Sequence, residues 1–439
     1  MRLLAITLTL GMILWLLRED SKYTKSNNIS LWIPTIWFGI ASSRPLGAWF
    51  IGNLHRTVNE GSIQDQIVLN GLLILSFIVI INKRMKLSNV FKDNTWLFNL
   101  YIYLLFSSIF VSDFPFNSFK RWYKISGTII IAAVILIEND PIDALISIVR
   151  RCAYILIPMS LCLIKYFPEY SIQYSYEGIR MGTGVTTHKN SLGIMCALYT
   201  FIIIWANFDK CRKKITLKNK QLLFKDMVVT VIGLFLLFGG GHSYSATSCT
   251  IWVLCCALLI VLQINRINTL ISNNFTSINI GIVILFLIID NWLVPKVAVF
   301  LGRNPNLTDR DQIWREVLNI ATQHPILGVG YGGFWGLIGK GQGGIIDFVD
   351  QAHNGYIDVF LQTGLIGLIF VSMFIVFLSK KISYLSRCNL VWCNLGFCLI
   401  PAIIIYNYTE AAMLVNSCTW VFLIFLSIVS SKYIKYNAS

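Results

Sequence analysis

The stretch YIDVFLQTGLIGLIFVSMFIVFL (residues 356–378) decides the fold class, because it is apolar over most of its length and long enough to cross a lipid bilayer. Comparable apolar runs recur along the whole chain. They lie near 2–17, 29–42, 66–82, 95–112, 125–138, 144–164, 188–207, 224–241, 247–264, 277–293, 356–378, 389–408 and 412–431. This pattern predicts an all-α polytopic membrane protein of about 12–13 transmembrane helices.

The composition indicates that much of this chain lies in a lipid bilayer. Its 439 residues are 56% hydrophobic and only 13% charged, and a soluble protein of this size could not bury so much apolar surface in one core. The connections 83–92, 208–226 and 379–388 are rich in Lys and Arg, and an even number of predicted spans separates each pair. Short basic loops stay in the cytoplasm, so the net charge of +15 reflects orientation and requires no nucleic-acid partner.

The predicted spans divide the chain into three regions. We expect an N-terminal transmembrane bundle over 1–294, one large external loop over 295–355 and C-terminal transmembrane helices over 356–439. Within the loop, Thr308 and Asp311 form a capping box, T-x-x-D, at the start of a predicted helix that Pro325 ends. Apolar residues follow at helical spacing: Ile313, Trp314, Val317, Leu318 and Ile320. This amphipathic helix is expected to lie on the membrane surface.

Two arginines of the large loop are candidates for binding an anion. Arg303 stands between Gly302 and Asn304, shortly after a span, and Arg310 opens the amphipathic helix. Guanidinium groups are permanently charged and bidentate, which suits them to a diphosphate. The alternative is that they contact lipid headgroups or pair with neighbouring acids.

Four further external segments carry polar side chains: SSRPLGAW (42–49), YEGIRMGTGVTTHKNSLG (176–193), GGGHSYSATSCTIW (239–252) and YNYTEAAM (406–413). They supply the remaining candidates for substrate binding: Arg44, Arg180, His188, Lys189, His242 and Glu410. Taken singly, each is explained as well by helix capping or interfacial anchoring. The predicted topology places all of them on one face of the bundle, where span ends can build a polar pocket.

His353 lies at the same face, directly before the apolar run 356–378. With Asn354 it could simply cap the following helix. However, a helix N-terminus disfavours an imidazolium ion and keeps a nearby histidine neutral. A neutral imidazole beside cations is suited to act as a general base toward a sugar hydroxyl, so we assign His353 as the candidate catalytic residue and Asn354 as a substrate contact.

The motifs GRNPNLTDRDQIW (302–314), HPILGVGYGGFW (324–335) and AHNGYIDVFLQTGLIG (352–367) resemble the O-antigen ligase and polymerase superfamily, with its exopolysaccharide-polymerase-like branch the most similar. The resemblance extends over nearly the whole chain, from LWIPTIWFGIASSRPLGAW (31–49) through THKNSLG (187–193) to NYTEAAM (407–413). It implies a GT-C-like membrane glycosyltransferase, multi-pass in the bacterial plasma (inner) membrane, with its catalytic loop on the periplasmic side. It also implies that His353, Arg303 and Arg310 match the conserved loop residues of the family.

By this resemblance, the donor is an oligosaccharide on undecaprenyl diphosphate, and the acceptor is a glycan or the lipid A core. The transfer needs neither metal nor cofactor, and a flippase and a chain-length regulator are further partners. One departure is that relatives often carry a basic residue near the position of Ala246, so His242, Arg180 or Lys189 is expected to supply that charge.

Polymerisation of repeat units is preferred to ligation onto lipid A core. A polysaccharide exporter or lipid-linked sugar flippase is the alternative from another class. It is disfavoured because the predicted span interiors carry few ionisable groups.

Overall fold

The computed structural model describes residues 1–23, 29–50, 62–175, 178–212, 217–289, 310–335, 349–387 and 390–438. In the first half of the chain the helices are α1 (Arg2–Tyr23), α2 (Trp32–Ala41), α3 (Leu46–Phe50), α4 (Ile63–Asn82), α5 (Leu87–Asp93), α6 (Thr95–Phe106), α7 (Pro115–Ile135), α8 (Pro141–Tyr166) and α9 (Pro168–Ser171). A short 3-10 turn (Ile29–Leu31) precedes α2, and a π-helical turn (Ser107–Val111) extends α6.

After α9 the chain forms a small antiparallel hairpin, β1 (Ile172–Tyr174) and β2 (Arg180–Gly182), in which Gln173 faces Met181. The helices of the second half are α10 (Lys189–Arg212), α11 (Leu217–Leu237), α12 (Ala246–Val261), α13 (Asn265–Ile289), α14 (Arg310–Ala321), α15 (Gly355–Leu385), α16 (Leu390–Thr409) and α17 (Cys418–Ala438). One large apolar core runs through the bundle, and a smaller cluster lies beneath α14.

The fold class predicted from the sequence is confirmed: the chain is an all-α polytopic membrane protein, and every candidate span contains a helix in its described part. Among the described residues, five helices are long and apolar enough to cross a membrane: α4, α8, α10, α15 and α16. The number rises to seven if α5 with α6, bent by 98°, and α12 with α13, bent by 118°, each count as one span. The higher count of 12–13 therefore stays a prediction.

The three basic connections meet at one end of the bundle. Trp205, near the end of α10, donates its indole N–H to the carbonyl of Val391 at the start of α16 (2.9 Å). Lys381, near the end of α15, donates to Asn94 Oδ1 (2.8 Å) at the start of α6. Since α15 runs from His353 toward Lys381, the histidine lies at the opposite end, which we call the site end.

A buried ion pair holds α8, α10 and α11 together inside the bundle. The Arg150 guanidinium contacts the Asp226 carboxylate (Nη2 to Oδ2, 3.0 Å), and both side chains are almost fully buried. Tyr154 and Asn207 donate to the same carboxylate, at 2.5 and 2.6 Å. A buried charge requires such partners, and the pattern of apolar runs did not indicate this pairing.

Helix α15 is broken at Gly364, where the large loop crosses it. Gly364 has φ 62° and ψ −164°, a conformation that glycine alone adopts readily. The peptide N–H groups that the break releases donate to the crossing segment: Leu365 to Pro325 O (2.9 Å) and Ile366 to Ile326 O (3.3 Å). In return, the Val329 N–H donates to Leu361 O (2.9 Å). Gly328 and Gly330 of this segment thus allow close contact with the protein's own backbone.

Gly364→Ala is expected to destabilise the protein, because a Cβ at this position would overlap the backbone of Ile326 and the backbone conformation excludes alanine. The matched control is Gly71→Ala in α4, where a Cβ meets open space and alanine favours the helix. Thermal unfolding in detergent is the measurement. Equal melting temperatures for the two variants would contradict the assigned role of the break.

Candidate functional site

The carboxylate of Glu410 lies at the centre of the site, directly after the last turn of α16. It is only 6% exposed. Its Oε1 accepts from Asn190 Nδ2 (2.6 Å) and from Arg310 Nη2 (3.1 Å), while Oε2 lies 3.5 Å from His353 Nδ1. Helices α10, α14 and α16 and the segment before α15 therefore converge on one buried acid.

The charges around Glu410 keep it ionised. Burial by itself raises the pKa of this carboxyl group, but the hydrogen bond from His353 and the charge of Arg310 outweigh the burial. The pKa of Glu410 consequently lies below its usual value. Because Glu410 is anionic at neutral pH, it is an acceptor for the ring N–H of His353.

His353 is held in an uncommon backbone conformation. Its φ is 50°, in the left-handed region that residues with a β-carbon rarely adopt. Its Nδ1 lies near both Glu410 Oε2 (3.5 Å) and Gln351 Nε2 (3.3 Å). The carboxylate favours the tautomer with the proton on Nδ1, which leaves a lone pair on Nε2. In the described part of the chain no group makes a hydrogen bond to Nε2, so that atom is available as a proton acceptor.

Arg310 joins the large loop to the end of α16. Besides the ion pair with Glu410, its Nη1 donates to the carbonyl of Thr409 (2.7 Å), in the last turn of α16. A cation at this position also complements the negative end of the helix dipole. Arg310 thus has two partners within the protein, and both lie beside the histidine.

A second buried acid, Asp358, fixes the segment that carries His353. One of its oxygens accepts from Trp335 Nε1 (2.6 Å) and the other from Gln362 Nε2 (2.8 Å). Gln362 in turn accepts from the N–H of Gly332 (2.9 Å). Sequence reasoning missed this network, although an acid three residues into an apolar run was a usable signal.

The N-terminus of α10 brings His188, Lys189 and Asn190 to the site. The ring Nδ1 of His188 accepts the peptide N–H of Asn190 (3.2 Å), and Asn190 bonds to Glu410. Lys189 takes another direction, and its ammonium group donates to Ser243 Oγ (3.0 Å) in the turn between α11 and α12. The predicted convergence of these segments on the face of His353 is therefore observed.

Beside Lys189 lies a cavity of about 550 Å³. Four basic side chains line it: Lys165, Arg180, Lys189 and His242. Apolar side chains complete the wall, among them Leu161, Ile164, Leu192 and Phe235. In the described ranges His242 Nε2 is buried without a hydrogen-bond partner, which is costly unless a ligand supplies one.

The cavity brings together the three residues proposed to replace the missing base near Ala246. Arg180, Lys189 and His242 all line it, and Ser243 is bonded to Arg180 through the backbone (N–H to O, 3.0 Å). Lys165 is an addition that sequence reasoning did not name, because a lysine at the end of a span is usually an interfacial anchor.

Two of the predicted substrate contacts, Arg44 and Asn354, make hydrogen bonds to the protein's own backbone. Arg44 is only 3% exposed, and its guanidinium donates to the carbonyl oxygens of Tyr170, Gly184, Val185 and Thr186. Asn354 is also buried, and its Oδ1 caps α15 by accepting the N–H groups of Tyr356 (3.0 Å) and Ile357 (3.2 Å). The geometry therefore favours the capping alternative for Asn354 and a loop-fixing role for Arg44. Arg303 and Thr308 lie outside the described residues.

Asp358→Asn is expected to lower the free energy of unfolding by about 1–3 kcal/mol, since the amide would lose charge-assisted hydrogen bonds and present an N–H₂ group to donors. Asp311→Asn, on the exposed side of α14, is the matched control. Unfolding in denaturant measures both variants. No difference between them would contradict the anchoring role of Asp358.

Comparison with known proteins was made for the whole chain. Residues 191–372 match the family model described as O-Antigen ligase. The matched region includes His242, Arg310, His353 and Asp358, whereas Arg180, His188 and Glu410 lie outside it. No curated protein matches the chain. The family match covers less than half of the chain and supports the resemblance to the O-antigen ligase and polymerase superfamily that the motifs indicated.

Proposed function

We propose that this chain transfers a glycan from undecaprenyl diphosphate to a sugar hydroxyl and so polymerises polysaccharide repeat units. The observation that carries the proposal is the position of His353, held by Glu410, next to a cationic cavity with apolar walls. The two parts are joined through α10, where Lys189 lines the cavity and the adjacent Asn190 bonds to Glu410. The family match supports the same class of reaction.

His353 is the proposed general base. Its Nε2 takes the proton of the acceptor hydroxyl as that oxygen attacks the anomeric carbon of the donor sugar. The bond between the anomeric carbon and the phosphate oxygen breaks, and the diphosphate leaves with the electron pair. Glu410 stabilises the imidazolium ion that forms, because Nδ1–H already points to a carboxylate.

The basic cavity is the proposed site of the diphosphate leaving group. Negative charge grows on the leaving oxygen in the transition state, and fixed cations nearby stabilise that charge without a metal ion. Arg180, Lys189 and the added Lys165 supply the cations, His242 supplies a polar ring nitrogen, and the apolar wall accommodates the first part of the polyprenyl chain. Arg303 and Arg310 are proposed to contribute from the large loop. Arg310 would do so from beside the base, where it already pairs with Glu410.

The cellular setting follows from this assignment. We propose that the chain is a multi-pass protein of the bacterial plasma membrane with the site end on the periplasmic side. The basic connections gathered at the opposite end support this orientation. A flippase would deliver the lipid-linked donor to this face, and a chain-length regulator would limit the product.

A second candidate function is that of a ligase, in keeping with the description of the matched family, O-Antigen ligase. In that case we propose lipid A core as the acceptor. His353, Glu410 and the basic cavity would serve both reactions, since polymerase and ligase differ in the acceptor and share the donor. The exporter or flippase alternative has less support. The buried charges Arg150 and Asp226 pair with each other, as residues that hold a bundle together do.

His353→Ala is expected to reduce glycan transfer by at least about 10²-fold, because a positioned general base contributes rate enhancement of this order. The protein should remain at its normal level in the membrane. His324→Ala is the matched control, since His324 is exposed at the end of α14 and has no side-chain contact with Glu410. Gel analysis of glycan length measures both variants. Unchanged glycans with His353→Ala would exclude the assigned base.

Purified protein supplied with the lipid-linked repeat unit alone is expected to give longer lipid-linked products. A polymerase uses the same molecule as donor and acceptor, whereas a ligase needs lipid A core. The matched arm adds lipid A core to the same mixture. Products that form only in that arm would establish ligation, and movement of the donor between leaflets without any new bond would establish the flippase alternative.

A further inference from the structure

His188 is fixed in one tautomer at the start of α10. Its Nδ1 accepts the peptide N–H of Asn190 (3.2 Å), and its own carbonyl accepts from Thr186 Oγ1 (2.9 Å). When Nδ1 of a neutral imidazole is the acceptor, the ring proton resides on Nε2. The backbone of α10 therefore presents Nε2–H as a hydrogen-bond donor.

The surroundings of His188 keep the ring neutral. Burial lowers its pKa to about 4, and the Glu410 carboxylate opposes that shift only in part. The remaining groups that act on it, His353, Lys189 and Arg310, lower the pKa further. At physiological pH the ring is consequently uncharged and does not compete with Arg310 or His353 for Glu410.

The donor on Nε2 is unused within the described ranges of the chain, where no group accepts a hydrogen bond from it. The ring is only half-buried, so a ligand can reach it. His353 and Glu410 both act electrostatically on the His188 ring. Asn190, two residues after His188, donates a hydrogen bond to Glu410. An open, uncharged N–H donor thus lies beside the proposed base.

We propose that His188 is a positioning residue that donates a hydrogen bond from Nε2–H to an uncharged oxygen of the glycan beside His353. The proposal rests on the proposed function. In this proposal the diphosphate and the sugar are bound by different groups. The basic cavity carries the charge that the diphosphate needs, whereas a neutral N–H donor suits a sugar hydroxyl or ring oxygen. A polar group that is buried on binding without a hydrogen-bond partner weakens the complex. His188 therefore discriminates against glycans that lack an oxygen at this position.

His188→Asn tests this role without removing the helix cap. The Asn side chain is a preferred N-cap and can accept the same peptide N–H, but it has no group at the position of Nε2. The expected result is a roughly 10-fold loss of kcat/KM, in line with one lost hydrogen bond, at an unchanged melting temperature. His188→Gln, whose amide reaches further, should recover part of the loss.

The kinetic readout identifies which glycan the residue holds. Because the proposed polymerase uses the same molecule as donor and acceptor, the assay supplies as acceptor a repeat unit without the diphosphate, which cannot act as donor. If KM rises for this acceptor alone, the contact is to the acceptor; if it rises for the lipid-linked donor alone, the contact is to the donor sugar. Full activity of His188→Asn would overturn the proposal, because it would reduce His188 to a helix cap. Failure of the proposed function itself is recognised separately, since then wild-type protein and His353→Ala would show the same absence of transfer.

Stability against pH tests the neutrality of the ring independently. The unfolded chain takes up a proton at His188 near its ordinary pKa of about 6.5, whereas the folded protein does so only near pH 4. Stability is therefore lost as the pH falls from about 6.5 toward 4. Between pH 7 and pH 5 the melting temperature of His188→Asn should fall by less than that of the wild-type protein. Equal losses would show that the folded ring titrates normally and would overturn the neutral-donor assignment.

Discussion

The ion pair and hydrogen bonds at the Glu410 carboxylate are the interactions on which the site depends. A buried carboxylate is tolerated only when several partners compensate for the lost hydration. Here the partners come from distant parts of the sequence, since Asn190 begins α10, Arg310 begins α14 and His353 precedes α15. Satisfying one acid therefore requires that the large loop and the bundle reach their native arrangement together.

Asp358 restrains the same segment from the opposite direction. Glu410 contacts the ring of His353, while Asp358 holds the chain around it through Trp335 and Gln362. The break at Gly364 then lets the crossing segment of the loop bond to α15. These constraints explain how a residue with a left-handed backbone conformation keeps a fixed position, since the surrounding contacts determine it from several sides.

The sequence predicted the helices well and the side-chain partners only partly. Apolar runs report burial in lipid directly, which is why each candidate span contains a helix in its described part. The convergence of Arg310, His353 and Glu410 could also be predicted, because topology alone places loop ends on a common face. The backbone partners of Arg44 and Asn354 could not be predicted, because a polar side chain that serves backbone groups looks the same in a sequence as one that serves a ligand. The position of Asp358 in an apolar run was a usable signal, but the partners of Asp358 and Lys165 depend on tertiary neighbours and could not be predicted.

The arrangement around α10 explains how cations and a base can coexist at one site. A histidine near several positive charges would lose basicity, because its protonated form is disfavoured. Lys189 points to Ser243 and the basic cavity, whereas Asn190 bonds to the carboxylate beside His353. Lys189 thus holds its charge away from the base, while the adjacent Asn190 places a neutral amide close to it. In addition, Arg310 pairs with Glu410, so the charge of this cation near His353 is compensated before any ligand binds.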